Sequence, residues 1–164
     1  MRVIDSCLSN SLLKRCQSEI NENNNWSSST LKWAPVLREG ICGSTLTKEC
    51  SSKTTSDLLA ELKSYLPQVT SIVAQYYIWQ PMSGIAIHND GGHKIGATIY
   101  LNERWHPNNG GWFVWYDEEI KEWKTILPKE NLLVINDNKE DHLVTPLPAA
   151  SNYAVRQTIQ IWGT

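Results

Sequence analysis

Long apolar runs, an excess of charge of either sign, and paired cysteines are all missing from this sequence. No stretch of its 164 residues approaches the ~18 consecutive apolar residues of a membrane-spanning helix. The opening Met1-Arg2-Val3-Ile4-Asp5-Ser6-Cys7 holds no apolar run of secretory-signal length. The expectation is a cytoplasmic chain with no membrane partner. Fifteen Lys and Arg against 17 Asp and Glu give a formal net charge of −2, without the basic excess of a nucleic-acid binder, so nucleic acid is a disfavoured partner. Cys7, Cys16, Cys42 and Cys50 form no C-x-x-C pair and do not pattern with histidines. They read as free thiols of a reducing compartment.

The chain that remains is one domain in size. The order of its elements points to an α+β, mainly β, fold. Leu12, Leu13, Cys16 and Ile20 recur at helical spacing within Ser9 to Ile20. Asn21 to Thr30 is Asn- and Ser-rich and reads as a loop, and the polar stretch from Cys42 to Thr55 reads as irregular. A second helix is expected from Ser56 or Asp57 through Leu58, Leu59, Leu62 and Leu66, ended by Pro67. Beyond it the residues become β-branched and aromatic, with a further short strand at Val3 to Asp5. Strands are expected at 71–79, 84–88, 95–102, 112–116, 122–127, 131–136, 142–145 and 153–162. Helices first, over about 1–68, and then about eight short strands, over about 69–164, suggest a β-sandwich or barrel with a helical layer packed on one side; a double-sheet jelly roll is one architecture with that strand count.

The chemistry-bearing residues fall in the strand region. In Ile85-Ala86-Ile87-His88-Asn89-Asp90, residues two apart share a strand face, or a strand-to-turn edge if the strand stops at His88. Alone, an H-x-D is a surface histidine beside a turn aspartate. His142, at the start of a later strand, offers a third ligand. Two histidines and a carboxylate on one face of a metal form the facial triad of non-haem Fe(II) chemistry. His93 and His106 lie in polar turns and read as solvated. Eight tryptophans are many for this length; most are expected to pack in the core. Alternation places Phe113 and Trp115 on one strand face and Trp112, Val114 and Tyr116 on the other.

Several further pieces follow in order. Trp79-Gln80-Pro81-Met82-Ser83-Gly84 precedes the H-x-D. Thr98-Ile99-Tyr100-Leu101-Asn102-Glu103-Arg104-Trp105, Gly110-Gly111, Ile126-Leu127-Pro128 and Leu132-Leu133-Val134-Ile135 follow it. His142-Leu143-Val144-Thr145-Pro146 and Arg156-Gln157-Thr158 close the series. Over residues 70–164 the sequence resembles the Fe(II)- and 2-oxoglutarate-dependent dioxygenase superfamily, most nearly its prolyl-4-hydroxylase-like branch.

That resemblance implies a double-stranded β-helix (jelly-roll) core, Fe(II) held by His88, Asp90 and His142, and 2-oxoglutarate and O2 as co-substrates. It implies that Arg156 holds the distal carboxylate of 2-oxoglutarate, with Tyr100 and Thr158 beside it. The competing reading of Arg156 is a surface salt bridge. Trp79, Phe113 and Trp162 are candidates for the substrate pocket, with Gln160 on the same inward face as Trp162. The implied reaction hydroxylates an unactivated C–H bond and releases succinate and CO2. The expected substrate is a prolyl residue in a protein or peptide, with free proline or another small amino acid as the alternative. A reading from another class is a non-catalytic jelly-roll module whose tryptophans stack on carbohydrate. Two departures stand out: many prolyl hydroxylases carry Tyr where Trp79 stands, and Pro148 to Asn152 lengthen the loop before Arg156. Nothing in the sequence bears on oligomeric state.

Overall fold

The computed structural model describes residues 1–29, 33–40, 43–149 and 154–164. Eleven strands form two antiparallel sheets: β1 (Arg2–Ile4), β2 (Ser27–Ser28), β3 (Thr45–Glu49), β4 (Ile72–Trp79), β5 (Ile85–His88), β6 (Ile95–Tyr100), β7 (Phe113–Asp117), β8 (Glu122–Ile126), β9 (Leu133–Asn136), β10 (His142–Val144) and β11 (Arg156–Gly163). The larger sheet runs β1-β9-β6-β11-β4-β3-β2, and the smaller β5-β10-β7-β8. This is the jelly-roll core expected from the sequence. Each of β4 to β11 lies inside its expected span or within one residue of it. Among the described residues no helix is long and apolar enough to cross a membrane.

Helices α1 (Asn10–Asn21) and α2 (Ser52–Glu61) cover the outer face of the larger sheet. Ser9 caps α1 by accepting from the Leu12 N–H, which satisfies an amide the first turn leaves unbonded. Leu12, Leu13, Cys16 and Ile20 are the buried stripe of α1, as their spacing predicts. They join Leu58, Leu62 and Leu66 against Ile99, Leu133, Ile159 and Ile161 of the sheet.

Three expectations need correction. The stretch from Cys42 to Thr55 is not irregular throughout: residues 45–49 form β3, paired along β4 from Thr45↔Trp79 to Glu49↔Gln75. A polar strand tolerates burial there because Lys48 Nζ donates to the carbonyls of Glu19 and Glu22. The last turn of a helix leaves such carbonyls free and favours a cation. The second helix also starts earlier than expected. Ser51 accepts from the Thr54 N–H at 3.2 Å and caps it, and a 3-10 turn at Leu62–Ser64 follows α2. The expected loop at 21–30 contains the two-residue β2.

Cys7, Cys16 and Cys50 are free and buried, with burial raising the Cys7 thiol to about 12. Cys42 lies outside the described residues. So does most of the lengthened loop before Arg156.

Strand alternation positions the site. Ile159 and Ile161 of β11 face the helices, while Arg156, Thr158, Gln160 and Trp162 alternate with them toward the smaller sheet. One strand thus supplies both core packing and interior chemistry.

Candidate active site

The smaller sheet brings two histidines face to face. His142 of β10 pairs with His88 at the end of β5, and the register slips between His142 and Val144. The ring centroids are 4.2 Å apart. His88 Nδ1 lies 2.8 Å from the Ala86 carbonyl, and His142 Nδ1 lies 2.9 Å from the Glu140 carbonyl. A carbonyl only accepts, so each Nδ1 carries the proton and each Nε2 keeps its lone pair.

Both Nε2 atoms face Asp90, at 3.8 Å from Oδ1 for His88 and 3.7 Å from Oδ2 for His142. The strand ends at His88, so Asp90 meets it across the strand-to-turn edge. Candidate ligand atoms of all three residues lie within 4.8 Å of one another. Ligands at ~2.1 Å in adjacent positions around one ion sit about 3 Å apart, so small side-chain movements would let the three share a metal. Burial and the neighbouring His88 push the His142 imidazole down to about 4, which keeps it neutral, as metal ligation requires. Asn136 also accepts from the Glu140 N–H at 2.9 Å and donates to its carbonyl, fixing the acceptor that orients His142. Its position at the end of β9 gave no sequence signal.

A cavity of about 330 Å³ opens beside these three residues. One wall is aromatic: Trp33, Trp79, Tyr77 and Trp162 follow one another with centroid separations of 5.8, 5.9 and 6.2 Å. Phe113 lies opposite, stacked on His142 at 5.1 Å. Trp79, Phe113 and Trp162, the three expected pocket residues, all line the cavity. Trp33 and Tyr77 were not singled out in the sequence. His93, read as solvated, is exposed but lines the mouth, 5.6 Å from the Trp162 ring. His106 is exposed.

Arg156, Tyr100 and Thr158 form a separate buried group one side-chain layer beneath the cavity. The lining residues Phe113, Val134 and Val144 pack on Tyr100, and the Trp79 indole lies 4.2 Å from the Arg156 guanidinium. Arg156 is only 1% exposed and makes no ion pair among the described residues, which rules out a surface salt bridge. Its Nη1 donates to the Gly111 carbonyl at 2.8 Å. Among the described residues its Nε and the Tyr100 hydroxyl have no hydrogen-bond partner. Burial lowers the guanidinium to about 10 and raises the Tyr100 phenol to about 12.

Residues 73–163 match the family model of the 2OG-Fe(II) oxygenase superfamily. The chain belongs to that superfamily. Its members use Fe(II), 2-oxoglutarate and O2. No curated protein sequence matches this oxygenase. Its fold is shared by a Pseudomonas putida prolyl-4-hydroxylase, with a TM-score of 0.75 and 16% identity, covering 99% of this chain and 91% of that one. A Trichoplax adhaerens prolyl hydroxylase, solved with a hypoxia inducible factor oxygen degradation domain peptide fragment, gives 0.66 and 18% over 99% and 82%. HygX of Streptomyces hygroscopicus, solved with nickel, 2-oxoglutarate and hygromycin B, gives 0.65 and 12% over 98% and 81%.

The side chains of this oxygenase suit the two groups its family uses. Two imidazoles and a carboxylate converge on one point, a donor set suited to a divalent iron. A buried cation without a counter-ion, beside an orphaned hydroxyl, suits a carboxylate.

Proposed function

We propose that residues 1–164 act as a single catalytic domain that hydroxylates a prolyl residue within a protein or peptide, with Fe(II) held by His88, Asp90 and His142. Bound there, Fe(II) would couple oxidation of 2-oxoglutarate to succinate and CO2 with oxygen insertion into an unactivated C–H bond. His88 and His142 present Nε2 because their Nδ1 protons are committed to backbone carbonyls. Arg156, with Tyr100 and Thr158, binds the distal carboxylate of 2-oxoglutarate. The aromatic walls exclude water from the reacting carbon.

The choice of substrate rests on the charge of the cavity. Among the described residues no Lys or Arg lines it, and Asp90 is its one carboxylate. A free amino acid would bring an ammonium whose one candidate counter-charge, Asp90, is committed to the metal, and a carboxylate with none, which is costly in a partly buried site. A prolyl residue in a chain brings neither. It offers an apolar ring for the aromatic wall and a neutral carbonyl. Thr98 Oγ1 donates to Gln160 Oε1 at 2.8 Å, leaving the Gln160 amide N–H groups to donate to that carbonyl. The peptide bound to the Trichoplax enzyme supports a peptide partner. HygX, of the same fold, has hygromycin B bound, so the fold alone does not choose the substrate.

The carbohydrate-module reading has no support from exposure. Of the eight tryptophans only Trp123 is exposed, at 50%, so there is no multi-tryptophan platform for a sugar. Three buried free thiols fit a reducing compartment such as the cytosol.

The test compares succinate release with a proline-containing peptide library and with free L-proline, and searches both products by mass spectrometry for the gain of one oxygen. Peptide-dependent release with an oxidised prolyl residue is expected. Release coupled to free proline but not to peptides would overturn the substrate assignment while leaving the oxygenase chemistry intact.

A further inference from the structure

Trp79 contacts two members of the buried Arg156, Tyr100 and Thr158 group, and each contact leaves a binding function free. Its indole N–H donates to Thr158 Oγ1 at 3.1 Å. That occupies a lone pair on the oxygen and leaves the Thr158 O–H to act as a donor. The Arg156 Cζ lies over its ring, 4.2 Å from the centroid. A cation over a ring is attracted by the π-face and keeps its N–H groups for hydrogen-bond acceptors. Gly111 already holds Nη1, and Nε has no hydrogen-bond partner among the described residues, so Nε is on offer. Trp79 is 2% exposed and sits on β4 directly opposite Arg156 of β11, so its indole is confined by packing.

We infer that Trp79 is a positioning residue for the co-substrate. It holds the Thr158 hydroxyl as a donor and the Arg156 guanidinium in place over its ring, so that both meet one carboxylate oxygen pair together with the Tyr100 hydroxyl. A tyrosine at this place could contact the ligand through its own hydroxyl. The indole acts on it through Thr158 and Arg156. The inference rests on the proposal that 2-oxoglutarate binds at Arg156.

The experiment measures 2-oxoglutarate binding to the Mn(II)-loaded protein by calorimetry, without turnover, for wild type, Trp79→Phe, Thr158→Val and the double variant. Trp79→Phe keeps a ring over Arg156 and removes the N–H. It should weaken binding roughly three- to tenfold, the worth of one hydrogen bond, with Mn(II) affinity unchanged. In turnover the loss should fall on the KM for 2-oxoglutarate rather than on kcat. Once Thr158 is valine, the Trp79→Phe change should cost nothing further, because the group it acts through is gone. Equal losses in both backgrounds would overturn the inference, as would unchanged or tighter binding by Trp79→Phe. If the Mn(II)-loaded wild type binds no 2-oxoglutarate, the co-substrate assignment falls and takes this inference with it. Binding by wild type with no effect at Trp79 overturns the inference alone.

Discussion

Gly96 makes the room that the Asp90 carboxylate occupies. A Cβ at residue 96 would stand 2.2 Å from Asp90 Oδ2 and 2.8 Å from its Cγ. Gly96 sits inside β6, opposite Trp162 and Asn136 on its neighbouring strands, where alanine meets no backbone strain. Gly96→Ala should therefore spare the fold and push the carboxylate away from His88 and His142. Metal affinity, measured by Mn(II) titration, should fall by at least about tenfold, the usual cost of misorienting a ligand. Wild-type affinity in this variant would mean that Asp90 is not a ligand.

Replacing His88, Asp90 or His142 singly by Ala should abolish succinate release in the presence of 2-oxoglutarate and peptide. All three side chains sit at the cavity and outside the helix-covered core, so circular dichroism should remain that of wild type. Unchanged turnover in any one variant would remove that residue from the proposed metal site.

Arg156→Ala should raise the KM for 2-oxoglutarate roughly ten- to a hundredfold, the worth of a charge-assisted hydrogen bond. Arg156→Lys should fall between wild type and Ala, since one ammonium cannot reproduce a planar fork. Metal affinity should be unchanged in both. A wild-type KM in the Ala variant would show that another group holds the carboxylate.

Acid stability should depend on Glu19. Its partial burial would raise its carboxyl, but donors at Thr54 (2.7 Å), Ser51 (2.9 Å) and Tyr76 (3.0 Å) outweigh this and hold it below the ordinary 4.5. A carboxyl depressed in the folded state stabilises fully above its unfolded value, and that contribution is lost as pH falls through the folded value. Glu19→Gln should therefore lower the urea midpoint at pH 7, and the gap to wild type should narrow steadily below pH 4.5. A gap that stays constant down to pH 3 would sink this account.

The sequence by itself determined the elements and the chemical types available. The β-branched and aromatic runs between turn signals over β4 to β11 and the 3.6-residue recurrence of Leu12, Leu13, Cys16 and Ile20 are local signals, carried by each segment independently of its partners. The H-x-D, the distal histidine and the R-x-T could be read the same way, because each is a short string. Tertiary structure decided which strings meet. His88 and His142 are 54 positions apart and face each other only because β5 pairs with β10. β3 was missed because its polar residues are buried by α1 and β4, and no local pattern reports that. Asn136, Gly96, Trp33 and Tyr77 were missed for the same reason. Each matters through a neighbour supplied by a distant segment: a carbonyl to fix, a carboxylate to accommodate, or an aromatic wall to extend. Trp79 shows the division most clearly. The sequence marked it as a departure from tyrosine, and only the packing of β4 on β11 placed its N–H on Thr158 and its ring over Arg156.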